Sequence, residues 1–141
     1  MQYNNDLASG EVCVSVGFSG DVFIAADQAA EGIEIAYSVP KEGAMLWFDM
    51  LAIPADAPHP DEAHAFIDFL LRPEIIAEVT NAVFYPNANA DAASFVDPEI
   101  LQDPAIYPTG EVMARLFPQP VQSARDDRTL TRLWTRVRTG K

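Results

Sequence analysis

The chain has 141 residues, of which 49% are hydrophobic and 10% aromatic, a composition typical of a globular protein rather than a disordered one. Its formal net charge of −12 disfavours binding to nucleic acid or anionic membranes, and no apolar run approaches the roughly 20 residues of a membrane-spanning helix. Cys13 is the only cysteine, which excludes an internal disulfide and a cysteine-based metal site.

The first third of the chain predicts alternating helices and strands, the pattern of an α/β sheet. The expected elements are the end of a helix over residues 5–9, a strand over 11–18, a helix over 22–30 and a strand over 33–39. Gly10 and Gly32 stand where these helices should stop, because glycine readily takes the left-handed conformation that ends a helix. A turn is expected at residues 40–43 (PKEG).

Residues 46–54 form a short apolar run with one carboxylate in its middle, which predicts a third strand. The alternation of a strand puts Trp47 and Asp49 on the same face. A carboxylate on a buried strand needs a cation or several hydrogen-bond donors to offset its desolvation, and an aromatic ring can hold a cation over its face. The pair therefore indicates a place where a positive charge binds, although a nearby arginine or loop N–H groups would also satisfy Asp49.

The second half of the chain predicts helices separated by proline-rich loops. From Pro60 onward apolar residues recur with helical spacing, and Pro73 interrupts that helix and starts another. Residues 81–89 are expected to be irregular, followed by short helices over 98–102 and 111–116 and a final helix over 126–139. Six of the nine Lys and Arg residues lie between positions 125 and 141, and we expect the arginines of the final helix to face solvent.

Residues 17–21 (GFSGD) lie between a predicted strand and a predicted helix, where a hydrolase would place a nucleophile such as Ser19. The nucleophile motif G-x-S-x-G requires glycine where Asp21 stands, and neither histidine has the placement expected in a catalytic triad. Asp21 is either a first-turn acid that stabilises the helix dipole or a ligand contact at the carboxyl end of a strand. These two interpretations are compatible.

The histidines and nearby acids suggest a metal site only weakly. His64 and Asp68 are one helical i, i+4 pair, and His59 precedes the helix, so a solvated helix N-terminus explains them with Asp61. The sequence has no phosphate-binding glycine loop and no alternation of basic and aromatic residues, so nucleotide and nucleic-acid binding are unsupported.

Several short motifs along the chain fit one family of proteins. They are FSGD at 18–21, KEGAM at 41–45, WFD at 47–49, LLRPE at 70–74, FYPNAN at 84–89 and WTRVRTGK at 134–141. In this combined spacing, which runs from end to end, the chain resembles the C-terminal part of the bacterial periplasmic polyamine-binding proteins. These are the putrescine and spermidine receptors of ABC importers.

The resemblance implies a type II periplasmic-binding-protein-like α/β fold of two lobes, present here only in part. Residues 1–46 would belong to the second lobe, 47–95 would hold the crossover strand and part of the first lobe, and 96–141 would return to the second lobe. The cleft aromatics and acids of the family fall on Phe18, Asp21, Trp47, Asp49 and Tyr85. Relatives often carry tryptophan at position 18 and some carry phenylalanine at position 47, so both positions stay aromatic.

The implied function is polyamine binding by the substrate-binding component of an ABC transporter, with no catalysis, cofactor or metal. Asp21 and Asp49 would pair with ammonium groups, the rings would pack on the methylenes, and Tyr85 would also offer a hydroxyl. The implied partner of the full-length protein is an ABC permease in the inner membrane, and the implied location is the periplasm. The start of the chain has no signal-peptide pattern, so an exported precursor would be longer.

Two alternatives remain at this stage: a non-binding interaction or structural fragment, and a serine hydrolase fragment that uses Ser19. The family's N-terminal lobe has no counterpart in this chain, which would leave apolar surface and sheet edges uncovered. We therefore expect the chain to associate with itself.

Overall fold

The computed structural model describes residues 2–140. Within these residues the chain forms seven α-helices, one 3-10 helix and two short strands. In chain order they are α1 (Gln2–Ala8), α2 (Ser19–Asp27), β1 (Ala44–Leu46), α3 (Pro60–Leu70), α4 (Pro73–Val83), the 3-10 helix (Ala90–Ser94), α5 (Pro98–Leu101), α6 (Gly110–Met113), β2 (Leu116–Pro118) and α7 (Ala124–Thr139).

The strands predicted for residues 11–18 and 33–39 are wrong, since neither segment pairs with a strand within residues 2–140. A strand needs a neighbour that takes up its backbone N–H and C=O groups. The side chain of Val16 is 96% exposed, so the first segment lacks a cover for its apolar residues as well. In the second segment alternate residues are half-buried, as the period of a strand requires, yet no neighbouring strand lies beside it.

The sheet consists of β1 and β2, which pair in parallel with Ala44 opposite Leu116 and Leu46 opposite Pro118. Gly43 permits this close approach, because a Cβ at that position would overlap the carbonyl oxygen of Arg115. Its φ of +99° also suits glycine and closes the predicted 40–43 turn, where the N–H of Gly43 donates to the carbonyl of Pro40 over 3.0 Å. The predicted α/β class is therefore confirmed only in part, because residues 2–140 are mostly helical and contain one two-stranded sheet.

The strand predicted for residues 46–54 is wrong beyond Leu46, where the chain leaves the sheet. β2 spans three residues and supplies no partner past Pro118, so the rest of the apolar run has no neighbour among residues 2–140. Asp49 is exposed rather than buried, and the side chain of Met50 is 85% exposed. The desolvation expected for Asp49 is consequently absent.

The helices predicted from Pro60 and Pro73 are confirmed as α3 and α4, each with proline in its first turn. Next to α4 lies the main buried cluster, which joins α4, the 3-10 helix and the region of α5. Its buried members are Ala77, Ala92, Val96, Ile100 and Ile106. The rings of Phe23 from α2 and Phe84 from the end of α4 pack against this cluster, so the core also anchors α2.

The final helix is confirmed as α7, and it carries no buried residue. Ser123 caps its first turn in a reciprocal pair with Asp126, in which each side chain accepts from the other's backbone N–H over 3.3 Å. The helix predicted for 111–116 is shorter, ending at Met113, because Leu116 begins β2 instead. No helix within residues 2–140 is long and apolar enough to cross a membrane.

Candidate functional site

The turn at residues 17–21 holds a carboxylate between two tyrosine hydroxyls. Asp21 lies in the first turn of α2, two residues after the start of the helix at Ser19. The hydroxyl of Tyr3 in α1 donates to its Oδ2 over 3.0 Å, and the hydroxyl of Tyr85 donates to its Oδ1 over 3.2 Å. Asp21 is thus a first-turn acid of α2, and the two tyrosine hydroxyls hold its carboxylate in one orientation.

Both phenol oxygens also accept a backbone N–H from the same turn. The N–H of Phe18 donates to the Tyr3 oxygen over 3.3 Å, and the N–H of Asp21 donates to the Tyr85 oxygen over 3.2 Å. The Tyr85 hydroxyl is therefore engaged with Asp21, although the sequence suggested it as a group offered to a ligand.

The two glycines of the turn are explained by the two tyrosine rings. A Cβ at Gly17 would lie 2.5 Å from Cε2 of Tyr3, and a Cβ at Gly20 would overlap the ring of Tyr85. Neither glycine has the positive φ that demands glycine for conformational reasons. The GFSGD motif thus forms a turn with a ring packed against each of its two glycines.

The environment raises the pKa of both tyrosine hydroxyls. Desolvation by burial raises the pKa of Tyr85 to about 12; its bond from the backbone N–H of Asp21 acts against this rise, and the Asp21 carboxylate adds to it. Burial likewise raises the pKa of Tyr3 above its usual 10.0, opposed by the N–H of Phe18 and assisted by Asp21. The Asp21 carboxylate contributes to both rises because it disfavours a second negative charge on each phenol oxygen.

A second carboxylate lies beside an aromatic pair next to this turn. The rings of Phe18 and Trp47 meet edge-on with centroids 6.4 Å apart and an interplanar angle of 62°. The indole N–H of Trp47 donates to Oδ1 of Asp49 over 3.1 Å, which confirms that these two side chains point the same way. Trp47 is 53% exposed and Phe18 43%, so both rings present an open apolar surface.

Tyr85 is placed by the segment that follows α4. Phe84 ends that helix in the left-handed conformation with φ of 57°, which turns the chain toward α2. Beyond Tyr85, the side-chain amide of Asn87 donates to the buried Thr80 hydroxyl over 2.9 Å, and that of Asn89 donates to the carbonyl of Leu71 over 2.8 Å. These bonds fix the loop to α4 and to the end of α3.

All five residues predicted for the ligand site lie in one connected group. Contacts or the shared turn link neighbouring members in the order Asp49, Trp47, Phe18, Asp21 and Tyr85. A depression of about 300 Å³ lined by Asn87, Ala88, Asn89, Ala90, Ala93, Leu101 and Tyr107 lies elsewhere. None of the five residues lines this depression, and together they form an open face that carries two carboxylates.

The sequence missed Tyr3, which the structure brings to Asp21 from a helix 18 positions away. A tyrosine in a polar N-terminal segment carries no signal of its own. The two glycines at 17 and 20 could have suggested that large side chains approach the turn, but not which ones.

The residues considered for other chemistry show different contacts. Ser19 begins α2, and its side chain has no hydrogen bond to a histidine in the described part of the chain. His59 Nδ1 lies 3.7 Å from the carboxylate of Glu62 in the first turn of α3, with both side chains exposed. Residues 2–140 contain no cluster of three His, Cys, Asp or Glu residues that could hold a metal ion.

The profile of the family described as bacterial extracellular solute-binding protein matches residues 1–109, which include all five predicted site residues and Tyr3. The chain belongs to this family.

The putrescine-binding periplasmic protein PotF of Escherichia coli K12 is 48% identical over 99% of this chain. The putrescine-binding periplasmic protein SpuD of Pseudomonas aeruginosa UCBPP-PA14 is 46% identical over the same share. A spermidine/putrescine-binding periplasmic protein of Salmonella typhimurium is 36% identical over 79% of the chain. The chain spans 39% of the length of the first two relatives and 31% of the third. All three are named as binding proteins rather than enzymes.

Proposed function

We propose that this chain carries part of a polyamine site and acts within the substrate-binding component of an ABC importer, with putrescine or spermidine as ligand. The observation that supports this most directly is the pair of carboxylates, Asp21 and Asp49, joined by the Phe18–Trp47 aromatic surface. The names of the relatives agree with this ligand class.

The chemistry of the face suits a flexible dication. Ammonium groups pair with carboxylates through charge-assisted hydrogen bonds, and aromatic rings accept methylene groups and nearby positive charge. The oxygens of Asp49 receive only the indole N–H of Trp47, and both carboxylates lack a partner arginine or lysine within residues 2–140. Within residues 2–140, neither carboxylate is therefore paired with a cationic side chain, which leaves both open to an external cation.

The proposal extends to the fold and location of the whole receptor. A type II two-lobe arrangement would place residues 1–46 and 96–141 in one lobe and 47–95 in the other. The pairing of β1 with β2 supports a shared lobe for the first and last segments. The buried cluster, by contrast, contains residues from both sides of position 95. The proposal includes a periplasmic location, which the names of the relatives support, and a permease partner in the inner membrane.

Calorimetric titration with putrescine and with spermidine at low ionic strength tests the binding proposal. We expect saturable binding to the unchanged chain, weakened roughly tenfold to a hundredfold by Asp49→Asn, because a charge-assisted contact contributes about 1.5–3 kcal/mol. Asparagine keeps an oxygen for the Trp47 indole, so the side chain's local contact is preserved.

Asp68→Asn is the matched control, since Asp68 is also an exposed acid but lies on α3 away from the aromatic pair. Equal weakening by both substitutions would reduce the interaction to general attraction toward an acidic protein. Absence of heat at millimolar ligand would support the non-binding alternative for this chain.

A further inference from the structure

Tyr3 is the feature of the site that neither the sequence motifs nor the family's cleft residues assign. It enters from α1 and reaches both ends of the 17–21 turn, through the N–H of Phe18 and the carboxylate of Asp21. Its ring packs on Gly17 at a distance that leaves no room for a side chain there. Tyr85 makes the equivalent set of contacts from the opposite side, with Gly20 and the N–H of Asp21.

The geometry points to Tyr3 as a positioning residue that, together with Tyr85, holds the Asp21 carboxylate in the orientation in which it meets an ammonium group. This inference rests on the proposed polyamine site. Each phenol uses its proton on one carboxylate oxygen and accepts one backbone N–H, so both Asp21 oxygens are fixed relative to the turn. Neither ring needs to touch the ligand to have this effect.

A fixed carboxylate helps binding because it loses no rotamer freedom when the ligand arrives. The opposite effect is also physically possible, since a donated hydrogen bond draws charge from the carboxylate and weakens its attraction for a cation. The two effects predict opposite signs for the removal of one hydroxyl. Replacing Tyr3 with phenylalanine therefore separates a positioning residue from one that merely neutralises charge.

The first measurement is calorimetric titration of the chain with putrescine. We expect Tyr3→Phe to weaken binding by up to about tenfold, because only Tyr85 still holds the Asp21 carboxylate, which then loses more rotamer freedom when the ligand binds. Tyr3→Phe should have no further effect in an Asp21→Asn background, since the hydroxyl acts through that carboxylate. Unchanged or tighter binding by Tyr3→Phe would overturn the inference.

Tyr37→Phe is the matched control. The Tyr37 ring packs on Phe23 at 6.2 Å between centroids, and its hydroxyl makes no side-chain hydrogen bond to another described residue. It loses the same atom as Tyr3→Phe but does not contact Asp21, so we expect unchanged affinity for putrescine. Equal weakening by the two variants would assign the effect to general loosening and contradict the positioning role.

The second measurement needs no ligand. The ultraviolet absorbance of phenolate is followed against pH, and the Tyr3 signal is isolated as the difference between the chain with and without that hydroxyl. We expect a midpoint above 10 that falls when Asp21→Asn removes the adjacent charge, because that carboxylate contributes to the raised pKa of Tyr3. The Tyr37 signal, isolated in the same way, should not move.

The two measurements distinguish failure of this inference from failure of the proposed function. If the unchanged chain does not bind putrescine, the proposed function fails for this chain, and the phenolate titration alone decides whether Tyr3 holds Asp21. A Tyr3 midpoint that is indifferent to Asp21→Asn overturns the inference whatever the calorimetry shows.

Discussion

At the scale of single residues, Gly20 in the turn at 17–21 makes room for a site residue, Tyr85, without contacting a ligand itself. Gly20 is buried, and its missing Cβ leaves space for the Tyr85 ring and for the carbonyl oxygen of Val83, 2.5 Å from the Cβ position. That contact brings the Tyr85 hydroxyl to Asp21. Removing the space should displace the ring from the carboxylate.

Gly20→Ala is therefore expected to destabilise the chain, although alanine favours helices by about 0.5–1 kcal/mol over glycine. Forcing a methyl group against a ring and a backbone oxygen costs about 1–3 kcal/mol, which exceeds that gain. Urea unfolding followed by circular dichroism measures the difference. Gly110→Ala is the control, because nothing lies within 4 Å of a Cβ at Gly110 and only the propensity gain remains. A chain that is equally or more stable with Gly20→Ala would contradict the contact.

At the scale of elements, helices were predictable because their signals are local. Pro60, Pro73 and the apolar spacing behind them identified α3 and α4, and Gly140 ends α7 in the left-handed conformation. A strand forms only where another strand pairs with it, and the local sequence does not show which distant segment that will be. The apolar residues at 11–18 and 47–54 have the composition of strands, yet no strand within residues 2–140 pairs with them.

The sequence did not predict β2, the second strand of the small sheet. Leu116–Pro118 lies in a proline-rich stretch that predicts loops, and it becomes a strand only because β1 approaches it across Gly43. In the candidate site, too, contacts between sequence neighbours were predictable and contacts between distant segments were not. Trp47 and Asp49 are only two residues apart and meet although no strand forms there, whereas the meeting of Tyr3 with Asp21 depends on how α1 packs on α2.

The helix α7 allows a test of purely local stability. None of its residues is buried, so its helicity depends on its cap and its own residues rather than on packing. Ser123→Ala removes the side chain that accepts from the N–H of Asp126 and should cost about 1 kcal/mol of helix stability. Far-ultraviolet circular dichroism should show less helix in Ser123→Ala, whereas Ser123→Thr should keep most of the helix because threonine also caps helices. Helicity unaffected by Ser123→Ala would mean that other contacts hold α7.

At the scale of the whole molecule, the exposed apolar surface favours self-association. Val16, Met50 and Trp134 are all exposed, and they lie on three separate segments of the chain. Exposed apolar area of this kind normally contacts another surface. We therefore expect the chain to form oligomers, measurable as a molar mass that rises with concentration in light scattering. A monodisperse monomer across that range would contradict this expectation.

The proposed polyamine site is tested most directly by the indole N–H signals of the two tryptophans during a putrescine titration. Trp47 donates its indole proton to Asp49, so an ammonium group that binds Asp49 must perturb this signal. Trp134 on α7 is the internal control, and Trp134→Phe identifies which signal belongs to which ring. We predict a saturable shift of the Trp47 signal alone, which in Asp49→Asn requires roughly tenfold to a hundredfold more putrescine. An unmoved Trp47 signal at saturating putrescine, or equal shifts of both signals, would contradict the assignment of the site.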